Sequence, residues 1–221
     1  IIQEPWAMRA LLASTMVGVT CGILGAFIVL RNMSLIGDAL SHAILPGVFV
    51  AFILFGYSTI GFFFGTVIAG LLFALAMTWI QQKKKKKNDA VIGIVFTAMF
   101  SIGVIGISAI SKTGVHLDLK DFLFGNVLGV ADQDLLMTGL VMVMVVLSIV
   151  VFYRYLFAST FQPTIASTMG IPVKLMHYYL MLLLSFSVVA AMQTVGVILV
   201  VAMLITPAST ALLLANRLPK V

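Results

Sequence analysis

Charge is what this sequence has least of. Thirteen basic and seven acidic residues are spread over 221 positions, so 9% of the chain is charged. A water-facing domain carries roughly 25%. The shortage excludes a soluble globular protein, because nothing is left to coat a hydrated surface. Cysteine is scarcer still. The single Cys21 cannot close an intrachain disulfide, lies in an apolar stretch, and says nothing about redox compartment. What fills the chain is hydrocarbon: 62% of residues are hydrophobic and the mean hydropathy is +1.20. Several apolar runs reach the roughly 20 residues that a bilayer crossing takes.

Seven apolar segments are expected as membrane helices: Trp6 to Leu30, Leu35 to Phe55, Ile60 to Ile80, Ala90 to Ile110, Leu135 to Phe157, Leu175 to Met192 and Thr194 to Ala215. The fold class is therefore all-α: a polytopic transmembrane helix bundle of about seven membrane helices, forming one domain over residues 1–221. A short apolar piece, Phe122 to Val130, lies in the polar stretch Ser111 to Asp134; it is too short to span and reads as a candidate re-entrant segment, and were it to span, the sidedness of what flanks it would change. Glycines four apart (Gly18 and Gly22, Gly61 and Gly65, Gly125 and Gly129) suit helices packed closely in lipid. The first apolar segment is too long for a cleavable signal peptide and lacks a basic flank. The chain opens on Ile1 and stops soon after an apolar stretch, so both ends read as trimmed.

The net charge of +6 is not a nucleic-acid signature. Five of the basic residues form one run, Lys83 to Lys87, and the others sit at the ends of apolar segments. Such charges set topology, with the basic side cytoplasmic. The run then lies inside as a solvated loop touching anionic lipid. Counting crossings from it puts Arg31, the Arg154–Lys174 region and Arg217 inside, and Ser111–Asp134 outside. It also puts the N-terminus outside, which Arg9 does not favour.

Of the acidic residues, only Asp38 falls within a membrane segment. A carboxylate there costs roughly 2.5–3.5 kcal/mol on insertion scales, so it must face a cavity or a partner. Ser34, Asp38, Ser41 and His42 fall at i, i+4, i+7 and i+8 of one helix, as a polar stripe. Asp38 and His42, one turn apart, can reach one cation together. Carboxylate oxygen with imidazole nitrogen suits Mn²⁺, Fe²⁺ or Zn²⁺. Pro46 and Gly47 are expected to bend or break the helix just beyond. The plain alternative is an Asp–His bond that holds helices together. One acid and one imidazole do not complete a site, and a two-fold dimer would supply two of each.

Elsewhere His116, Asp118 and Asp121 gather in the expected outer loop, as a docking surface or a metal-collecting vestibule. His177 beside Tyr178 and Tyr179 reads as an interfacial belt. In the cytoplasmic stretch Ala158 to Pro172, Pro163 opens a short helix and Gly170 ends it.

The run Arg31-Asn32-Met33-Ser34-Leu35-Ile36-Gly37-Asp38-Ala39-Leu40-Ser41-His42-Ala43-Ile44-Leu45-Pro46-Gly47 resembles the signature of the manganese/zinc/iron permeases of ABC importers, the ABC-3 family. Ala90 to Phe96, Leu123 to Asn126, Gln193 to Gly196 and Leu204 to Ala208 match the family's pattern too. The resemblance implies a second permease copy, a cytoplasmic ATP-binding subunit on each half, and an extracellular or periplasmic metal-binding protein that delivers the ion. It implies no tightly bound cofactor, only transported Mn²⁺ or Zn²⁺, with Fe²⁺ open, in a bacterial plasma membrane. It makes Asp38 and His42 the metal residues, with Ser34, Ser41, Pro46 and Gly47 supporting the path. The 158–172 loop becomes the coupling segment, with Phe161, Gln162, Ala166, Met169 and Gly170 meeting the ATPase. Family members continue for about two further helices. Two departures stand out: Gln162 occupies a place where such permeases often carry Asp, and five consecutive lysines are atypical.

Two rival classes remain. A secondary carrier driven by an ion gradient would also use a broken helix with an intramembrane acid. A membrane metalloenzyme would want a dense ligand set such as H-E-x-x-H, which the sequence lacks. It also lacks G-x-x-x-x-G-K-[ST], so ATP must be used by a partner chain rather than this one.

Overall fold

A computed structural model describes residues 5–31, 33, 35–56, 59–83, 88–111, 125 and 129–214. The described residues form nine helices and no strand. In chain order these are α1 (Pro5–Leu30), α2 (Leu35–Ala43), α3 (Leu45–Phe55), α4 (Thr59–Lys83), α5 (Asn88–Ser111), α6 (Asp132–Phe161), α7 (Pro163–Thr168), α8 (Val173–Val195) and α9 (Val197–Leu214). Seven stretches are long and apolar enough to cross a bilayer, and they are the seven read from hydropathy. In lipid a helix satisfies every backbone group internally, which is why apolar length alone specifies the element.

The boundaries move for identifiable reasons. α6 starts at Asp132 rather than Leu135, because Asp132 and Asp134 in its first turn complement the positive end of the helix. α8 continues past Met192 to Val195 and stops at Gly196, whose φ of 79° suits glycine. Leu35–Phe55 is one crossing but two helices. Pro46 has no N–H to give the carbonyl of His42, and the Gly47 N–H donates to Ile44 at 2.9 Å. The break therefore falls at Ile44, just before the Pro-Gly pair.

Helix α8 runs through the centre, packed against α4 and α6, with α1, α2 and α9 also touching it. Its Leu180, Leu183, Leu184, Val188 and Val189 are fully buried. Close approaches depend on particular glycines. A Cβ on Gly47 would strike the Gly65 carbonyl and lie 2.7 Å from the Ala69 methyl, so α3 and α4 touch backbone to backbone. Gly61 and Gly65 thus serve the packing expected of them, Gly61 against Phe55. Gly18 and Gly22 do not: a Cβ at either would meet nothing within 4 Å. The glycine of α1 that matters is Gly25, pressed on the Leu204 carbonyl of α9. Of the short piece Phe122–Val130, Gly125 packs on the Gly196 backbone and Val130 is buried; most of the rest lies outside the described residues.

Arg9 at the start of α1 grips Asp132 at the start of α6, Nε to Oδ1 and Nη2 to Oδ2, both at 3.0 Å. The starts of these two helices therefore share one side of the bundle. The pairing also neutralises Arg9, which removes its objection to an outer N-terminus. Both side chains are exposed, and such pairs contribute about 0.2–1 kcal/mol. Arg9→Gln is accordingly expected to shift the thermal midpoint in detergent by no more than a few degrees.

Candidate functional site

Helix α2 positions the pair that the sequence singles out. Its spacing places Asp38 and His42 one turn apart, and Oδ1 lies 3.7 Å from Nε2. That is too long for a hydrogen bond. It approaches the ~3.4 Å that separates two ligand atoms of one tetrahedral ion with bonds near 2.1 Å. The carboxylate side chain is 52% exposed and the imidazole 24% exposed, so the pair opens off the side of this chain rather than into its core. Two phenylalanines of α5 hold the ring in place. Phe100 meets it edge-on at 5.7 Å, and Phe96 lies at 5.9 Å. Nδ1 is buried with no hydrogen-bond partner among the described residues, which leaves Nε2 as the nitrogen facing Asp38.

The expected polar stripe is narrower than its spacing implied. Ser41 is buried and donates its hydroxyl hydrogen to the Gly37 carbonyl at 2.8 Å, so it does not share the open face with Asp38. Three positions along a 3.6-residue helix fall about 60° short of a full turn, and that offset carries Ser41 away from Asp38 to the protein side. Pro46 and Gly47 are buried at the α3–α4 contact, where they line an apolar crevice of about 240 Å³. Their part is to break the helix and pack it. Ser34, His116, Asp118 and Asp121 lie outside the described residues. Among the described residues no three His, Cys, Asp or Glu gather into a metal cluster.

At the end of the bundle where α1 finishes, α7 forms as its punctuation specifies. Pro163 opens it, Gly170 turns away at φ 80°, and the Ile171 N–H closes back on the Ala166 carbonyl at 3.0 Å. Phe161, Gln162, Met169 and Gly170 are all exposed. Ala166 is 1% exposed and its side chain faces inward, away from the open side of α7. Ile165, which sequence reasoning did not single out, is exposed on the outer side.

Sequence reasoning missed a second polar cluster. Arg31 donates from Nη2 to the Ser159 hydroxyl at 3.0 Å, from Nε to the Thr160 hydroxyl at 3.1 Å, and from Nη1 to Nδ1 of His177 at 3.2 Å. His177 is thus a half-buried acceptor rather than part of an interfacial belt. Burial lowers the Arg31 pKa from its ordinary value, but a guanidinium keeps its proton at any physiological pH. No local signal reveals this cluster, whose members lie far apart in sequence.

An acid and an imidazole held in a broken helix, within a bundle built for lipid, mark a polytopic membrane protein of the transport class. The family model described as the ABC 3 transport family matches residues 3–221, and the chain belongs to that family. It is 51% identical over 219 residues to the manganese transport system membrane protein MntC of Halalkalibacterium halodurans, covering 99% of this chain and 73% of the relative. The manganese import system permease protein ScaB of Streptococcus parasanguinis is 48% identical over 216 residues, covering 98% and 75%. Among solved structures, PsaBC from Streptococcus pneumoniae in complex with Fab superposes with a TM-score of 0.83 at 43% identity, over 99% of this chain and 76% of that one. The chain is thus a multi-pass permease of the bacterial plasma membrane.

Proposed function

We propose that this chain is the membrane-spanning half of an importer for a divalent transition metal, manganese first, driven by ATP hydrolysis on a separate subunit. The observation that carries the reading is the 3.7 Å approach of Asp38 Oδ1 and His42 Nε2 on an open side of the bundle. The manganese-transport names of the relatives support the choice of metal. Zn²⁺ and Fe²⁺ would fit the same two donors.

The pair is half a site. A second copy of the chain, related by a two-fold axis, would bring another carboxylate and another imidazole. Helix α5, against which α2 packs, exposes Ala90, Gly93, Thr97, Ala98 and Ser101 beside Ile94. Small residues of this kind let helix backbones approach in lipid. The Thr97 and Ser101 hydroxyls already bond to their own helix, at 2.8 and 2.7 Å, so burying them there costs little.

The ATP-hydrolysing partner would meet α7. Phe161, Ile165 and Met169 are large apolar side chains exposed at four-residue intervals in the sequence, with the Phe161 ring tilted against that of Phe157 at 4.6 Å. Binding of ATP would shift the pair of permeases between outward-open and inward-open states, by its differential affinity for the two. A metal-binding protein on the opposite side would deliver the ion. The test is reconstitution of the chain with its ATPase subunit in proteoliposomes. Manganese uptake should require enclosed ATP; uptake that follows a proton gradient without ATP would make it a secondary carrier. Phe161→Asp with Met169→Asp should cut co-purification of the ATPase subunit at least about tenfold. Thermal stability of the permease should fall only slightly: Met169 is an exposed site, where changes usually stay within about 0.5 kcal/mol, and Phe161 gives up one aromatic contact with Phe157, a kind of pair that contributes about 0.5–1.5 kcal/mol.

A further inference from the structure

We propose that Arg31 is the strut that carries movement of the α7 segment to the metal pair on α2. The inference rests on the reading of α7 as the contact with the ATPase. Arg31 closes α1, and only residues 32–34 separate it from α2. Its guanidinium binds the last turn of α6 through Ser159 and Thr160, immediately before α7. It binds the start of α8, just after α7, through His177. Both chain ends of the coupling segment are therefore held by one side chain, which in turn sits at the root of the helix that bears Asp38 and His42.

The chemistry suits transmission better than anchoring. The three acceptors are neutral, and no carboxylate pairs with Arg31 among the described residues. An Arg–carboxylate pair at this depth would lock the helices, since it adds the attraction of a full opposite charge and a bidentate geometry to the hydrogen bonds. Bonds to hydroxyls and to an imidazole can be exchanged as α6 and α8 shift. Each hydroxyl is already oriented: Ser159 donates to the Leu156 carbonyl at 3.0 Å and Thr160 donates to the same carbonyl at 2.7 Å, so their lone pairs are left for Arg31. Three directed bonds from one rigid plane are within the reach of a guanidinium and not of an ammonium. Helix α2 cannot move alone, because Gly37 is pressed on Leu204 of α9 and His42 on the α5 phenylalanines. A pull at Arg31 is therefore passed to α2 together with the helices it packs on, and shifts the pair as part of that group.

The experiment uses the complete transporter, permease with ATPase subunit and metal-binding protein, in proteoliposomes loaded with ATP. Arg31→Gln and Arg31→Lys are expected to keep the ATPase subunit bound and its basal hydrolysis within about twofold. Manganese uptake should fall at least about tenfold, so metal moved per ATP collapses. Thr160→Val, which keeps the shape and loses the acceptor, should show a weaker form of the same uncoupling, and Thr160→Ser should restore wild-type stoichiometry. Arg31→Gln transporting at the wild-type ratio overturns the strut. So does a fall of uptake and hydrolysis in proportion to lost protein, which marks a merely structural arginine. Failure of the underlying reading shows elsewhere, as ATP-independent uptake by the unmodified transporter, and it removes the strut with it.

Discussion

Asp38→Asn is expected to abolish metal uptake while making the protein more stable. The two effects have one origin. A carboxylate placed within a membrane segment costs roughly 2.5–3.5 kcal/mol, and the neutral amide is cheaper to bury. Nothing among the described residues compensates Asp38 except His42 at 3.7 Å, which is too far for a hydrogen bond. The charge is therefore held against its own cost. Losing a metal's indirect support already costs about 10–100-fold in affinity or activity, so losing Asp38, in the direct-ligand role we propose for it, should reduce uptake roughly 100-fold or more. His42→Ala should lower uptake equally and behave oppositely in stability. It removes a ring packed against both Phe96 and Phe100, and because that ring is partly exposed the loss should fall at or below the low end of the about 2–5 kcal/mol that truncating a buried side chain costs. Transport of manganese into proteoliposomes and thermal denaturation in detergent measure the two quantities. A stable Asp38→Asn protein that imports manganese at the wild-type rate would defeat the site.

Gly25→Ala and Gly18→Ala should part company although both lie in α1. At Gly25 the new methyl would collide with the Leu204 carbonyl and lie 3.2 Å from the Ala208 methyl. Backbone cannot swing aside as a side chain can, so α1 and α9 must separate. Overpacking of this kind costs about 1–3 kcal/mol, and with no hydrophobic drive between helices in lipid, lost close packing is hard to recover. The expected result is a midpoint lowered by several degrees and a reduced folded yield. At Gly18 nothing lies within 4 Å, and alanine is the better helix former by about 0.8–1.0 kcal/mol. Its midpoint should stay level or rise. Equal losses at both positions would mean that α1 and α9 do not meet as closely as Gly25 indicates.

The limits of the sequence are clearest at residues whose partners lie on other helices. Arg31 looked like one more topology-setting cation, and His177 like an interfacial ring; their contact spans two helix ends. Arg9 looked like a charge on the wrong side until Asp132 accounted for it. Ser41 shared a stripe with Asp38 on paper and a buried face in fact. By contrast, the turn chemistry around α7 was fully local: Pro163 at its start and Gly170 past its end specify where it begins and stops.

The chain's own order of residues determined which seven stretches of the described residues are long and apolar enough to cross a bilayer, where the second of them breaks, and that an acid and an imidazole stand one turn apart. These follow from apolar run length, from the missing N–H of proline, and from helical periodicity. Tertiary structure alone decided which arc of each helix meets protein and which meets lipid. In water the two arcs differ in polarity and can be read. In a membrane both are apolar, so only the packing itself tells Gly25 from Gly18, turns Ser41 inward, and leaves Asp38 and His42 open.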